Sequence, residues 1–168
     1  MIRKAVINDS PRIAEIHVFS SRYAYKDFIP MENLINKMTV KNIEKSIRKY
    51  LSNNIKPFEM YVYEDNNIIK GFMTIGNCTD GDKDNNTFEL ENIYVDPLFQ
   101  RQHIGTELID YFIKTAVEKN KKEAVLWATE KNSNAIKFYD SMGFIPDGKK
   151  MRFELLNNEM CIRYWKSL

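Results

Sequence analysis

Residues 87–120, TFELENIYVDPLFQRQHIGTELIDYFIKTAVEKN, contain the pattern that decides the fold of this chain. Its first part predicts a β-strand, because apolar residues alternate with glutamates from Phe88 to Glu91. The alternation changes phase at Asn92 and continues to Val95 in the opposite phase. One extra residue in a strand has this effect, so the sequence predicts a β-bulge near Asn92.

The second part of the stretch predicts a loop followed by an amphipathic helix that ends near Asn120. Apolar residues recur at four-residue spacing in two neighbouring rows, and together they form a stripe wide enough to cover a sheet. A turn that enters a helix directs free backbone N–H groups and the positive end of the helix dipole at one point. Residues 101–106 are therefore a candidate anion site. The two rows are Ile104, Leu108, Phe112 and Ala116, and Gly105, Ile109, Ile113 and Val117.

Length and composition limit the class of protein. With 168 residues, 43% of them hydrophobic, the chain is expected to form one domain over residues 1–168. A net charge of +2 gives no strong field for nucleic acid or a membrane surface. No apolar run approaches the roughly 20 residues of a membrane span, and the N-terminus lacks the apolar core of a signal peptide. We therefore expect a cytoplasmic protein without nucleic acid or membrane partners.

Metal and disulfide chemistry are not expected. Cys78 and Cys161 lie far apart in predicted strands, so we expect buried thiols in a reducing compartment. The chain has only two histidines, so a zinc site is not expected. Residues 79–86 place acidic side chains at calcium-loop spacing, but Asn85 stands where that loop requires glycine. We interpret this segment as an exposed acidic loop.

The remaining segments alternate helices and strands without repeats or linkers. Each boundary is marked by turn residues, by a capping residue, or by a change of hydrophobic period. Strands are predicted over residues 1–8, 59–64, 68–77, 124–128, 144–155 and 159–165, and helices from an N-cap at Ser10, around Leu34, from Thr39, and from Asn132 or Ser133 to Gly143.

The loop from Gln100 to Gly105 resembles a phosphate-binding loop. Its sequence is similar to the pattern Gln/Arg-x-x-Gly-x-Gly/Ala that holds the pyrophosphate in the GNAT superfamily of N-acetyltransferases. Gln100 and Gly105 match, and His103 stands where the first glycine usually lies. Taken alone, the segment is a weak signal and favours an ordinary β–α turn.

A second motif resembles the same superfamily. Residues 132–144, NSNAIKFYDSMGF, match the signature Asn-x-x-Ala-x-x-Phe-Tyr-x-x-x-Gly-Phe at every specified position. The early segment IAEIH…SSRYAY…IP resembles the first two helices of the family, which wall the acceptor pocket. The chain is identified as a member on two ordered motifs. The resemblance implies an α/β (α+β) GNAT fold, with a mixed, mostly antiparallel sheet of six to seven strands and helices on both faces.

The resemblance implies acetyl-CoA as the acetyl donor. Family members pair the pantetheine arm as an added strand with two diverging strands, and the pyrophosphate would contact residues 101–106. The residues implied in cofactor binding are Ile93, Tyr94, Val95, Gln100, Arg101, Gln102, His103, Ile104, Gly105, Thr106, Asn132, Ala135 and Tyr139.

Acetyl transfer to an amine requires a base, an oxyanion donor and an acid. The resemblance assigns the acid to Tyr139, which would protonate the departing thiolate. The backbone N–H of Ile93 or Val95 would donate to the oxyanion. Glu89 occupies the base position of the histone-acetylating branch, and Glu91 is the next candidate. Two solvated carboxylates and a tyrosine that only packs in the core are the alternatives.

The acceptor is expected to be a primary amine of a small molecule. The glutamates on the strand and the acidic loop favour a cationic, polyamine-like amine. Acetylation of a protein N-terminus or lysine is an alternative, as is a non-catalytic domain that binds acyl-CoA or serves as a regulatory module. A homodimer is left open.

Overall fold

The computed structural model describes residues 1–53 and 57–168. In this part the chain forms five α-helices, seven β-strands and three 3-10 helices. The helices are α1 (Ser10–Tyr25), α2 (Met31–Lys37), α3 (Val40–Leu51), α4 (Ile104–Glu118) and α5 (Ser133–Ser141). The strands are β1 (Ile2–Lys4), β2 (Phe58–Asp65), β3 (Ile68–Asn77), β4 (Thr87–Val95), β5 (Glu123–Thr129), β6 (Ile145–Phe153) and β7 (Glu159–Ser167). The 3-10 helices cover Ile7–Asp9, Pro97–Phe99 and Glu154–Leu156.

The seven strands form one mixed sheet in the order β1-β2-β3-β4-β5-β7-β6. Strand β4 pairs with β5 in parallel, from Thr87 opposite Glu123 to Leu90 opposite Leu126. Strand β7 pairs antiparallel with β5 and with β6. The fold class expected from the sequence is therefore confirmed, with seven strands rather than six.

The chain forms two compact units, and the first contains Met1–Thr74 and Asn92–Leu108. Its core confirms Ile13 and Ile16 of α1 as buried, but Phe19 is exposed. Residues three apart are separated by about 300° around a helix, so two such steps move Phe19 about 120° away from Ile13. The core of this unit contains Ile13, Ala14, Ile16, Ile47, Met60, Val62, Ile69 and Phe72.

The second unit contains Ile75–Glu91 and Ile109–Leu168. Phe88 of β4 stacks on Phe112 of α4, with ring centroids 5.7 Å apart. The first predicted row of α4, from Ile104 to Ala116, is buried throughout. The second row is buried at Ile109 but exposed at Val117 in the last turn, so the apolar stripe narrows towards the end of the helix.

Most of the predicted helix boundaries are confirmed. The side chain of Thr39 accepts a hydrogen bond from the backbone of Asn42 (3.2 Å) and caps α3. Gly143, with φ +79°, ends α5 as predicted. The N-cap predicted at Ser10 is wrong, because Ser10 is the first residue of α1 and its hydroxyl donates to the carbonyl of Ile7 (2.6 Å). None of the helices in residues 1–53 and 57–168 has the length and apolarity needed to cross a bilayer.

Candidate active site

The connection from β4 to α4 carries most of the predicted cofactor-binding residues and belongs to the first unit. After the 3-10 helix Pro97–Phe99, an exposed segment leads to Ile104, the buried first residue of α4. Gly105 and Thr106 in the first turn are half-buried. We call residues 100–105 the anion loop; its exposed members are Gln100, Arg101, Gln102 and His103.

Two residues of the anion loop have left-handed backbone conformations. The φ angle is 60° at Arg101 and 61° at His103. Side chains other than glycine rarely adopt this region, because the Cβ atom approaches the following carbonyl oxygen. His103 therefore has a backbone conformation that a glycine adopts easily, at the position where the family pattern has its first glycine. Its carbonyl accepts the first hydrogen bond of α4, from the backbone of Glu107 (3.0 Å).

The predicted cofactor-binding residue Tyr94 lies on the face of the sheet that contacts α1. Its ring centroid is 4.7 Å from that of His17 on α1 and 5.4 Å from that of Phe72 on β3. A Cβ atom added to Gly71 would point to the opposite face and would lie 3.3 Å from Cγ2 of Ile104. At this point of β3, helices α1 and α4 therefore cover opposite faces.

The β-bulge near Asn92 stays a prediction. Phe88 of β4 belongs to the second unit and stacks on Phe112 of α4. Tyr94 belongs to the first unit and contacts His17 of α1.

His17 is a neutral side chain in this setting. Burial lowers the pKa of the imidazole to about 4. No sequence pattern associates this histidine with Tyr94, because the two are far apart along the chain. Predicted residues Ile93 and Val95 flank Tyr94 and are half-buried. The carbonyl of Val95 accepts a hydrogen bond from the Ser20 hydroxyl (2.9 Å).

Glu89 is buried in the second unit, with 7% of its surface exposed. Burial raises the pKa of its carboxyl group, and the nearby charge of Asp80 acts in the same direction. The backbone N–H of Thr79 donates to its Oε2 atom (3.3 Å) and opposes the shift. The alternative of two solvated carboxylates is therefore wrong for Glu89, whereas Glu91 is exposed.

Neither cysteine forms a disulfide. Cys78 follows β3 and is half-buried, and Cys161 is buried on β7. Burial raises the pKa of the Cys78 thiol to about 12 and that of the Cys161 thiol to about 11. Both side chains are therefore neutral thiols near pH 7 and poor nucleophiles.

The residues predicted on α5 have clear packing and capping roles. The side chain of Asn132 accepts a hydrogen bond from the backbone of Ala135 (3.2 Å) and caps the helix, as predicted. Tyr139 is 8% exposed, and its ring centroid is 6.4 Å from both Phe144 and Tyr164. The cofactor and acid roles of these residues stay predictions.

Arg163 on β7 is the central charge of the second unit and was missed by the sequence analysis. It is 4% exposed, and its guanidinium donates to Asp80, Asp82 and Asp147 at 2.7–2.8 Å. These bonds hold the pKa of Asp82 well below its usual range. The segment predicted as an exposed acidic loop is largely exposed, and Arg163 ties its residues Asp80 and Asp82 to β7. The available signal was an arginine inside the otherwise apolar run from Met160 to Trp165.

Metal binding finds no further support. Within residues 1–53 and 57–168, no group of three or more histidine, cysteine, aspartate or glutamate side chains is arranged to hold an ion. The aspartates around Arg163 are ion-paired with its guanidinium rather than grouped around a metal site.

The sequence profile of the Acetyltransferase (GNAT) family matches residues 29–144 of this chain. The chain belongs to this family. The resemblance inferred from the two motifs is thereby confirmed.

Two curated relatives match a limited part of the chain. One is an uncharacterized N-acetyltransferase of Methanocaldococcus jannaschii, 39% identical over 56 residues, which are 33% of this chain and 25% of that protein. The other is N-alpha-acetyltransferase 30 of Xenopus laevis, 36% identical over 61 residues, which are 36% of this chain and 22% of that protein. The chain thus matches about a quarter of the length of these relatives.

A solved structure matches almost the entire chain. The crystal structure of PaiA N-acetyltransferase from Thermoplasma acidophilum in complex with coenzyme A has a TM-score of 0.78 and 19% sequence identity. The match covers 97% of this chain and 96% of that one. This likeness confirms the GNAT fold.

Proposed function

We propose that this chain is an acetyl-CoA-dependent N-acetyltransferase that acts on a primary amine of a small molecule. Transfer would be direct, with donor and acceptor bound together. Family membership supports the reaction class, and the coenzyme A bound to PaiA N-acetyltransferase supports the donor. The conformation of the anion loop is the single observation that links this proposal to particular residues.

The anion loop fits a pyrophosphate group. The first backbone N–H groups of a helix have no partner within it, so those of Ile104, Gly105 and Thr106 can donate to phosphate oxygens. The left-handed conformations at Arg101 and His103 turn the chain tightly into α4. The exposed guanidinium of Arg101 adds a positive charge beside this helix start. Bound acetyl-CoA would supply an activated thioester.

Glu89 would accept the proton from the amine. An alkylammonium group titrates near pH 10 and is not a nucleophile while it is charged. A general base works best when its pKa lies near the working pH, and burial raises the pKa of Glu89 towards that range. A water molecule can carry the proton between the amine and the carboxylate. Glu91 is the second candidate for this role.

Ile93, Val95 and Tyr139 would stabilise the transfer itself. A backbone N–H of Ile93 or Val95 would donate to the acyl oxygen as its negative charge develops. The hydroxyl of Tyr139 would give a proton to the sulfur that leaves, and it would regain one from solvent. The proton lost by the amine and the proton gained by the thiolate then balance.

The charge distribution supports a cationic acceptor less strongly than the sequence suggested. Asp80 and Asp82 are already paired with Arg163, so they contribute little free negative charge. Glu89 and Glu91 remain as the acidic side chains of β4. A protein N-terminus is the second candidate acceptor, and the similarity to N-alpha-acetyltransferase 30 supports it. The single domain, the homodimer and the cytoplasmic location stay proposals.

A panel of acceptors tests the proposal directly. The protein is incubated with acetyl-CoA and separate polyamines, amino acids, lysine-containing peptides and peptides with free N-termini. Released thiol is measured and the product is identified by mass. We expect acetylated small amines and an equal amount of thiol. Acetylation of peptides alone would contradict the small-molecule proposal, and coenzyme A binding without transfer to any acceptor would favour the non-catalytic alternative.

A further inference from the structure

We propose that Arg12 and Asp96 act together as positioning residues for the anion loop, and thereby set the affinity for coenzyme A. This inference rests on the proposed function, because it assumes that the anion loop binds the pyrophosphate. Neither side chain belongs to the loop. Their effect on the ligand would come from fixing the backbone that leads into it.

Asp96 directly follows β4 and is 5% exposed. Its Oδ1 atom accepts a hydrogen bond from the backbone N–H of Leu98 (2.9 Å), which caps the 3-10 helix Pro97–Phe99. Its Oδ2 atom is ion-paired with the guanidinium of Arg12. One carboxylate therefore shapes the turn after β4 and ties that turn to α1.

Arg12 connects three parts of the first unit. Its Nε atom donates to the carbonyl of Ile69 on β3 (3.0 Å), and its Nη2 atom donates to Asp96. Its Nη1 atom donates to Glu15, one turn further along α1 (3.0 Å). A guanidinium has the fixed geometry to bridge a carbonyl and a carboxylate at once, which a lysine does not have.

The backbone around Asp96 is held as well. Its N–H donates to the carbonyl of Lys70 (2.9 Å), and the preceding carbonyl, of Val95, accepts from Ser20 (2.9 Å). The exit of β4 is therefore fixed by contacts with both α1 and β3. Arg12 adds to these backbone contacts an ion pair with the side chain of Asp96.

The opposite end of the loop is fixed by close packing. Ile104 is buried, and a Cβ atom on Gly71 would lie 3.3 Å from its side chain and 3.0 Å from the carbonyl of Tyr94. These contacts would be tighter than ordinary van der Waals contact, so the backbone of β3 lies close to the start of α4. The start of α4 is therefore constrained independently of Arg12.

The anion loop needs fixed ends, because its backbone conformation is energetically unfavourable in itself. Arg101 and His103 both have positive φ, which costs free energy for residues with a Cβ atom. Such conformations persist only when the surrounding structure determines them. Releasing the β4 end would let residues 97–103 relax, and the amides of the first turn would lose their common direction.

The test compares two arginine–aspartate pairs of similar construction. Arg12→Gln and Asp96→Asn remove the proposed pair. Arg3→Gln is the matched control, because Arg3 pairs with the buried Asp9 (2.7 Å), whose carboxylate also accepts a backbone N–H. We expect coenzyme A to bind roughly tenfold more weakly to the first two variants and within about twofold of wild type to the control. The KM for acetyl-CoA should rise while kcat changes little.

Each outcome decides between the proposals. Equal affinity of Arg12→Gln and wild type, or equal weakening by Arg3→Gln at the same loss of melting temperature, would overturn the positioning role. If Arg12→Gln does not fold, Asp96→Asn carries the same test, because asparagine keeps the oxygen that accepts from Leu98. A wild-type protein that does not bind coenzyme A would overturn the proposed function first, and the inference with it.

Discussion

The guanidinium of Arg163 and the carboxylate of Asp82 are joined by two hydrogen bonds of 2.8 Å each. The same guanidinium donates to Asp80 and Asp147, so a buried charge on β7 holds three carboxylates. Removing one partner of a buried pair leaves the others uncompensated. The hydrogen bonds from Arg163 tie residues 80–82 to β7, which lies far away in the sequence.

We expect Arg163→Met to lower the free energy of unfolding by about 3 kcal/mol, the low end of the range for breaking a buried pair, since Asp82 is partly exposed. Urea denaturation measures the change. Arg152→Met on β6 is the matched control, because Arg152 is exposed and should contribute less than about 1 kcal/mol. Equal losses in both variants would contradict a stabilising role for the Arg163 cluster.

The second prediction concerns stability at acid pH. The pKa of His17 is lowered from 6.5 to about 4 by burial, so the unfolded state binds more protons than the folded state in this range. The neutral His17 side chain therefore makes its full contribution to the free energy of unfolding above about pH 6.5. This contribution is lost as the pH falls towards 4. His17→Phe keeps a ring beside Tyr94 and Phe72 and removes the titration. Its melting temperature should fall less between pH 7 and pH 5 than that of wild type; parallel curves would contradict the prediction.

The third prediction concerns the anion loop. His103→Gly removes a Cβ atom from a left-handed residue and should raise the free energy of unfolding by up to about 1 kcal/mol. Coenzyme A affinity should stay the same or improve, because we expect the backbone and not the ring to contact phosphate. Gln102→Gly is the control, since Gln102 is not among the positive-φ residues. A collapse of affinity in His103→Gly alone would make the imidazole a ligand.

The fourth prediction separates the two candidate bases. Glu89→Gln should lower kcat/KM at neutral pH by about 10²–10⁴-fold, the usual contribution of a positioned base. Activity should recover at high pH, where the amine loses its proton without help. Glu91→Gln should keep most of the activity. The opposite order of effects would assign the base to Glu91.

Local signals predicted most of the fold. Thr39 and Asn132 cap their helices, and Gly143 ends α5, because each of these features depends on residues within one turn. The row from Ile104 to Ala116 followed from helical periodicity alone. The anion loop was predicted from a short motif, and His103 has a left-handed backbone conformation that a glycine adopts easily.

The contacts that the sequence did not predict join residues distant along the chain. Arg12 and Asp96 are 84 residues apart, and Arg163 and Asp80 are 83 apart. No periodicity relates such residues, so only the folded chain shows them as partners. Glu89 was expected on a half-buried strand. Strand β4 instead lies inside the sheet between β3 and β5, and the side chain of Glu89 is buried.

The most direct test of the account is the kcat of Tyr139→Phe. The variant keeps the ring that packs near Phe144 and Tyr164, and it removes the hydroxyl that would protonate the leaving sulfur. With the acceptor found in the panel, kcat should fall about 10²–10⁴-fold, while coenzyme A affinity and melting temperature stay close to wild type. Full activity would contradict the assignment of Tyr139 as the acid, and a loss of stability without a loss of rate would make it a core residue only.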